Sequence, residues 1–293
     1  MCTLARLGLA AGVVLAAFAS PLLAEQGSDW STDHLNDAWV EHALANPELN
    51  QGWCQSCRTD ERDGRVSHCE VRPFVLSRGK GPIGIDGGQN SGMTVMGWDR
   101  DSVRILYRVV TRARTEERAR AIAADVQLEL SKGFLRPRGP FDPSSDHEWW
   151  AVEIKAWVPR ASDLVLSTQN GPLAVRDVRG RMEINSINGP MSLVDLGGAI
   201  EARTDNGPLY VALAGSQWDG TGLDAEAQNG PLDLMVPANY SAHLVTGTIS
   251  GPVSVDYALE SNPEREWIST TLGKGGRLVR VVTTNGPFHI GAR

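Results

Sequence analysis

The sequence predicts a mainly β chain: a parallel β-helix-like solenoid with Asn-Gly-Pro corners and one packed α-helix. Three observations carry that expectation. The triplet Asn170-Gly171-Pro172 recurs at Asn188-Gly189-Pro190, Asn206-Gly207-Pro208, Asn229-Gly230-Pro231 and Asn285-Gly286-Pro287, with a near copy at Ser250-Gly251-Pro252, in steps of 18, 18, 23, 21 and 35 residues. Each copy feeds an apolar-x-apolar pattern, as in Leu173/Val175, Met191/Leu193, Leu209/Val211 and Phe288/Ile290. In the two regular repeats a second alternating stretch follows a second glycine corner, at Gly180 and Gly198. A fixed turn feeding a fixed strand at a short period marks stacked repeats, none of which can bury its faces alone.

The triplet has a physical logic. Asn and Gly accept positive φ and turn the chain sharply. Pro sets its own φ and pushes the residue before it toward extended backbone, so the chain leaves the corner as a strand. Stacked at the sheet spacing of about 4.8 Å, the column Asn170, Asn188, Asn206, Asn229 and Asn285 can form a side-chain ladder.

Residues 1–24 read as a secretory signal: Arg6 precedes an apolar run from Leu7 to Ala19, with cleavage after Ala19 or Ala24. Arg6 is the one charged residue there, so the remainder carries 27 basic against 35 acidic side chains, net −8. That balance disfavours nucleic acid and anionic membrane surfaces as partners. No later stretch approaches a transmembrane segment in length. Residues 25–72 form an N-terminal extension in which Asp33 to Ala45, with Leu35, Ala38, Trp39, His42 and Leu44, has weak helical spacing.

Three of the four cysteines remain after the signal, so one disulfide and one leftover thiol are expected. The favoured pair is Cys57–Cys69, closing a hairpin around the polar turn Asp60 to Gly64, with Cys54–Cys69 as the alternative. A redox Cys-x-x-Cys lacks its βαβ setting. A zinc site from Cys54, Cys57, His68 and Cys69 would need two adjacent residues to point at one ion. No metal or cofactor is expected.

The repeat domain spans 73–293, starting at Gly81-Pro82-Ile83-Gly84-Ile85. In Val103 to Val110 an apolar face alternates with one bearing Arg104 and Arg108, continued by Arg112 and Arg114. That side could hold an anionic glycan or phosphate, or be solvated and paired with nearby acids. A helix is expected over 115–131: Thr115 caps it, Glu116 and Glu117 fill the first turn, and Ile122, Val126 and Leu130 form a stripe. The stretch from Trp149 to Pro159 reads as a strand, with Trp149, Trp150 and Trp157 capping the core.

The order of a Cys…Cys-Glu-Val-Arg opening, Gly-Pro-Ile-Gly-Ile, a strand plus helix, Val-Pro-Arg before Leu164-Val165-Leu166 and then Asn-Gly-Pro repeats resembles the putative-adhesin family of exported bacterial β-strand-repeat proteins, over roughly residues 70–293. The resemblance implies a single-stranded β-helix-like solenoid and no catalytic residues. Strict repetition fails at 212–224 and 256–284, where loops are expected on one face.

Parallel β-helices include polysaccharide-cleaving enzymes, and such chemistry needs two carboxylates at a set spacing. Asp177 and Asp195 share an offset on adjacent repeats, but Leu213 takes it on the next, and no further acid, His or Arg joins the column. The six histidines are scattered, and no nucleophile or phosphate-loop motif appears. Among the nine tryptophans, Trp218 and Trp267 lie in irregular loops where they could stack on sugars. The sequence thus points to a periplasmic or secreted, non-enzymatic structural or interaction module with a protein or glycan partner in the cell envelope. A carbohydrate-binding module and a polysaccharide-degrading enzyme are the alternatives.

Overall fold

The computed structural model describes residues 51–55, 64–77, 79, 81–140, 148–258 and 267–293. The signal 1–24, the stretch Asp33 to Ala45 and Cys57 lie outside them. In chain order the elements are α1 (Gln51–Gln55), β1 (Val66–Leu76), β2 (Ile83–Asp86), β3 (Ser91–Trp98), β4 (Val103–Ala113), α2 (Glu116–Asp125), β5 (Gln127–Ser131), β6 (Phe134–Arg138) and β7 (Trp149–Pro159). The corner-linked strands follow: β8 (Leu164–Asn170), β9 (Leu173–Arg176), β10 (Arg179–Asn188), β11 (Met191–Val194), β12 (Gly197–Asn206), β13 (Leu209–Ala212), β14 (Gly220–Asn229) and β15 (Leu232–Val236). The chain ends with β16 (Ala242–Ser250), β17 (Val253–Asp256), β18 (Trp267–Leu272), β19 (Leu278–Asn285) and β20 (Phe288–Ala292).

These strands make two large mixed sheets, ordered β1-β4-β7-β3-β9-β11-β13-β15-β20-β17 (sheet A) and β18-β16-β19-β14-β12-β10-β8-β2-β6-β5 (sheet B). Neither closes into a barrel. Each Asn-Gly-Pro corner links a sheet B strand to a sheet A strand, a pair that we call a rung. Neighbouring rungs pair parallel with like positions aligned: Asn188 opposite Asn170 and Asn206, and Met191 opposite Leu173 and Leu209. One rung is out of sequence order. The last, β19/β20, lies between β14/β15 and β16/β17, so Asn285 sits on Asn229 and Ser250 follows Asn285.

The corners are built by three columns. Asn188 donates to the Oδ1 of Asn170 at 2.8 Å, Asn206 to Asn188 at 3.0 Å, Asn229 to Asn206 at 3.1 Å and Asn285 to Asn229 at 2.9 Å. The glycines beside them stack with φ near +150°, as at Gly207 with +149°. The third column was not anticipated. In a parallel ladder the carbonyl of Gly230 would receive the N–H of the residue at position 287, and proline has none. A buried threonine of the same rung supplies the proton instead: Thr283 Oγ1 donates to Gly230 O at 2.8 Å, Thr248 to Gly286 at 2.9 Å and Thr168 to Ser91 at 2.7 Å. Thr283→Val keeps the shape and orphans that carbonyl, so we expect a loss of about 1–3 kcal/mol in urea denaturation. A midpoint within error of the parent would refute the substitution of hydroxyl for amide.

Between the sheets runs one core of Leu, Ile, Val and Ala, each large aliphatic contributing about 1.5–3 kcal/mol. At one end α2 joins it through Ala119, Ile122 and Ala123. The helix stops at Asp125, short of the expected 131. The Arg72 guanidinium of β1 takes the carbonyls of Ala123 and Val126 at 2.8 and 2.6 Å, closing the C-terminus. Residues 127–138 then form a hairpin whose turn, Lys132-Gly133, has φ +52° and +82°. Val126 and Leu130 are four apart and read as helical, yet Leu128 and Leu130 fit a strand equally well. Pairing with β6 decided it.

Candidate functional site

The expected site residues fall in three places, and the structure adds a fourth. The first is the disulfide, which joins Cys54 to Cys69 with Cα atoms 5.7 Å apart. This corrects the favoured Cys57–Cys69 pair. Cys69 does not close a local hairpin; it lies on the outward side of β1 opposite Val110 and ties α1 down on the outside of sheet A.

The second is the aspartate pair. Asp177 and Asp195 occupy the corner after β9 and β11 with φ +58° and +55°, a conformation Asp tolerates better than most residues. Their column is not left bare beyond Leu213, as the sequence suggested. The guanidinium of Arg293 reaches back to both carboxylate oxygens of Asp195 and donates to Leu213 O at 2.7 Å. Arg179 donates to the Asp195 backbone carbonyl at 2.7 Å, and Arg160 stands 3.7 Å from Asp177. Both acids are thus engaged by arginines, Asp195 by one 98 residues away.

Burial pushes the Asp177 carboxyl above its ordinary 3.8, against the pull of Arg160 and helped by the charge of Asp195. A carboxyl whose folded value is raised binds its proton more tightly in the native state. Its contribution to stability is full below 3.8 and is lost as pH rises through the folded value. Asp177→Asn should therefore gain stability relative to the parent on going from acid to neutral pH, by well under ~1 kcal/mol because the site is partly solvated. Denaturation midpoints at both pH values check this; an advantage confined to acid pH would reverse the sign.

The third place is the tryptophans. Trp218 is 5% exposed and belongs to the main core; its indole N–H donates to Gly198 O at 3.0 Å. A sugar cannot reach it, so its expected role in glycan contact is withdrawn: the lengthened loop folds inward to fill space beside the glycine corner. Trp267 is 41% exposed on edge strand β18, opposite Gly247. The three tryptophans expected together are divided by strand alternation. Trp150 enters the main core, while Trp157 faces outward.

The fourth is the outer face of sheet B, where no site was expected. Stacking sets Glu183, Glu201, Asp224 and Arg280 in one row. Arg280 pairs with Asp224 at 2.6 Å and Glu226 at 3.1 Å, and Arg203 with Glu201 at 2.8 Å. Beside this row the side chains shrink to Ala199 and Gly222, where the register shifts around Thr221. The result is a groove of about 470 Å³ running from Arg181 to Leu278 and walled by Glu183, Glu201 and Asp224. The signal was present: small residues in outward positions between large ones. Reading it required knowing which strands are neighbours.

Among the described residues no helix is long and apolar enough to cross a membrane, and no group of three His, Cys, Asp or Glu is arranged to hold a metal ion.

No family profile and no curated protein matches the sequence. Solved structures do. One described as a putative cell adhesion protein from Clostridium sporogenes is 9% identical, covers 77% of this chain and 100% of its own, and has a TM-score of 0.42. A putative adhesin from Bacteroides fragilis is 11% identical, with coverages of 77% and 97% and a TM-score of 0.34. Another from Parabacteroides merdae is 14% identical, with 76% and 95% and a TM-score of 0.35. Likeness at this level is too loose to bear on residues or activity.

Proposed function

We propose that this chain is an exported, non-enzymatic interaction module of the cell envelope, periplasmic or secreted, built as a β-solenoid that engages a protein or glycan along the outer face of sheet B. The observation that carries this reading is the in-register stacking. It sets outward side chains in straight rows on a hydrogen-bonded scaffold, with one groove between Arg181 and Leu278. Rows held by backbone ladders on both sides need little ordering on binding. In this reading residues 1–24 are removed on export. In this reading the solenoid domain also takes in β1, ahead of the expected boundary at 73; the pairing of β1 with β4 along its whole length supports this.

The test is a glycan-array and envelope-fraction binding screen of the mature protein beside Arg181→Glu/Glu183→Lys, Trp267→Ala and Asp177→Asn/Asp195→Asn variants. Loss of binding in the groove variant supports the proposal. Loss with Trp267→Ala alone moves the contact to the edge strand and favours the carbohydrate-binding alternative, for which that exposed indole is the supporting observation. Cleavage products that vanish with the aspartates would replace the module by a glycan-degrading enzyme.

A further inference from the structure

Two loops meet at the start of β16 and leave a cavity between them. The first is the lengthened loop before β14, whose Ser216 carbonyl accepts the Ser241 N–H at 2.8 Å. The second is the turn Gly273-Lys274-Gly275-Gly276-Arg277 between β18 and β19. In it the Lys274 N–H donates to Ser241 Oγ at 3.2 Å and the Gly275 N–H to Leu272 O at 2.9 Å. The carbonyl of Arg277 accepts the His243 N–H at 3.1 Å. Gln217, Trp218, Gly276 and Arg277 line the space, which measures about 360 Å³. Trp218 is its apolar wall, because its N–H is already spent on Gly198 O. Both loops are therefore tied to Ser241, and a ligand entering between them meets a backbone that is already ordered.

Charge and position select the ligand. Arg179, Arg203, Arg280 and Arg293 each engage a carboxylate. Among the described residues Arg277 and Lys274 engage none, and the Gln217 side chain has no hydrogen-bond partner. The adjacent acid, Asp219, faces Arg179 at 3.5 Å. An unpaired guanidinium fork beside an amide donor suits a carboxylate or a sulfate. Arg277 lines the cavity, and Leu278, next in the chain, ends the groove of sheet B. Arg181, at the other end of that groove, likewise engages no carboxylate among the described residues. Between these two cations stand Glu183, Glu201 and Asp224, over three strand spacings or about 14 Å. An acidic peptide would set its own carboxylates against that wall. A sugar chain offers it hydroxyl donors and brings anionic groups to the ends.

Resting on the reading that the outer face of sheet B is the contact surface, we propose that its partner is an acidic polysaccharide and that Arg277 and Gln217 form an oxyanion site for it. One carboxylate or sulfate enters the cavity, while its sugar ring stays at the rim, clear of the buried Trp218. The chain then runs along the groove, its hydroxyls donating to Glu183, toward Arg181.

Titration calorimetry of the intact mature protein with polygalacturonate, dextran sulfate, polyglutamate and unsubstituted dextran tests this. Binding to polygalacturonate or dextran sulfate is expected, and the tighter of the two identifies carboxylate or sulfate. Arg277→Ala should weaken that binding about tenfold or more, Arg277→Lys less, and Arg114→Gln, an exposed cation beside α2, not at all. Unchanged affinity in Arg277→Ala, or an equal loss in Arg114→Gln, would overturn the site. Dextran bound as tightly as the anionic polymers would also overturn it, and polyglutamate bound as tightly would assign it to an acidic peptide instead. Loss in Arg181→Glu/Glu183→Lys with none in Arg277→Ala would sink this inference and leave the sheet B reading standing. Silence with all four polymers would overturn the polysaccharide, and the array screen then decides whether that reading falls with it.

Discussion

Gly207→Ala is expected to destabilise the protein by at least about 3 kcal/mol. Gly207 has φ +149°, where residues with a Cβ are strained, and an added Cβ would lie 2.1 Å from Gly189 O and 2.6 Å from Gly189 C. Both are backbone atoms, so no side chain can swing aside. Nor can Gly189 retreat, because its own Cβ position lies 2.3 Å from Gly171 O. The corner column is a run of close approaches in which each glycine is fixed by the one before it. Gly215→Ala is the control: φ is +71° and nothing lies within 4 Å, so only the backbone cost of about 1–2 kcal/mol applies. Urea denaturation of both variants decides the matter. Equal losses would mean that stacking adds nothing to the glycine requirement.

Cys69→Ser should cost about 3 kcal/mol through the lost constraint on the unfolded chain, the bond spanning a sequence separation of 15. It should also release α1, and with it the Trp53 contacts to Arg108, Glu153 and Lys155. Cys57→Ser should leave stability unchanged. Thiol titration of the mature protein under denaturing, non-reducing conditions should give one free thiol in the parent, none in Cys57→Ser and two in Cys69→Ser. A Cys57→Ser protein as unstable as Cys69→Ser would show that a different pair carries the bond.

The corners were legible because their causes are local. Asn, Gly and Pro each solve a backbone problem within three residues, and the column Asn170, Asn188, Asn206, Asn229 and Asn285 follows once like is placed on like. The hydroxyl column was legible in principle, since Thr168, Thr204, Thr248 and Thr283 each stand two residues before a corner. Its purpose appears only when the missing amide of proline is traced to the neighbouring rung. What stayed hidden depends on partners far along the chain. Arg293 reaching Asp195, Trp218 turning inward and Cys54 crossing to β1 are fixed by which strands become neighbours. The arginine-bearing side of β4 was legible too, but not that Leu106 on that side joins Trp98 and Trp157 in a second cluster. The helix end failed for another reason, because two periodicities fit the same residues.

The displaced position of β19/β20 has a consequence for how the chain is assembled. In most stacked-repeat proteins each unit can settle on the one made just before it, so structure grows in the order of synthesis. Here β16/β17 emerge before the segment that must separate them from β14/β15. If Ser250 docks at once on Asn229, the stack is compact and wrong, and it must reopen to admit Leu278–Ala292. Closing that contact joins Asn229 and Asn285, 56 residues apart in sequence, which slows this step. We therefore expect the half of the molecule around Asn170–Asn206 to mature early and the far half to wait for the final strands. Until then two sheet edges stand open, able to template pairing with other chains.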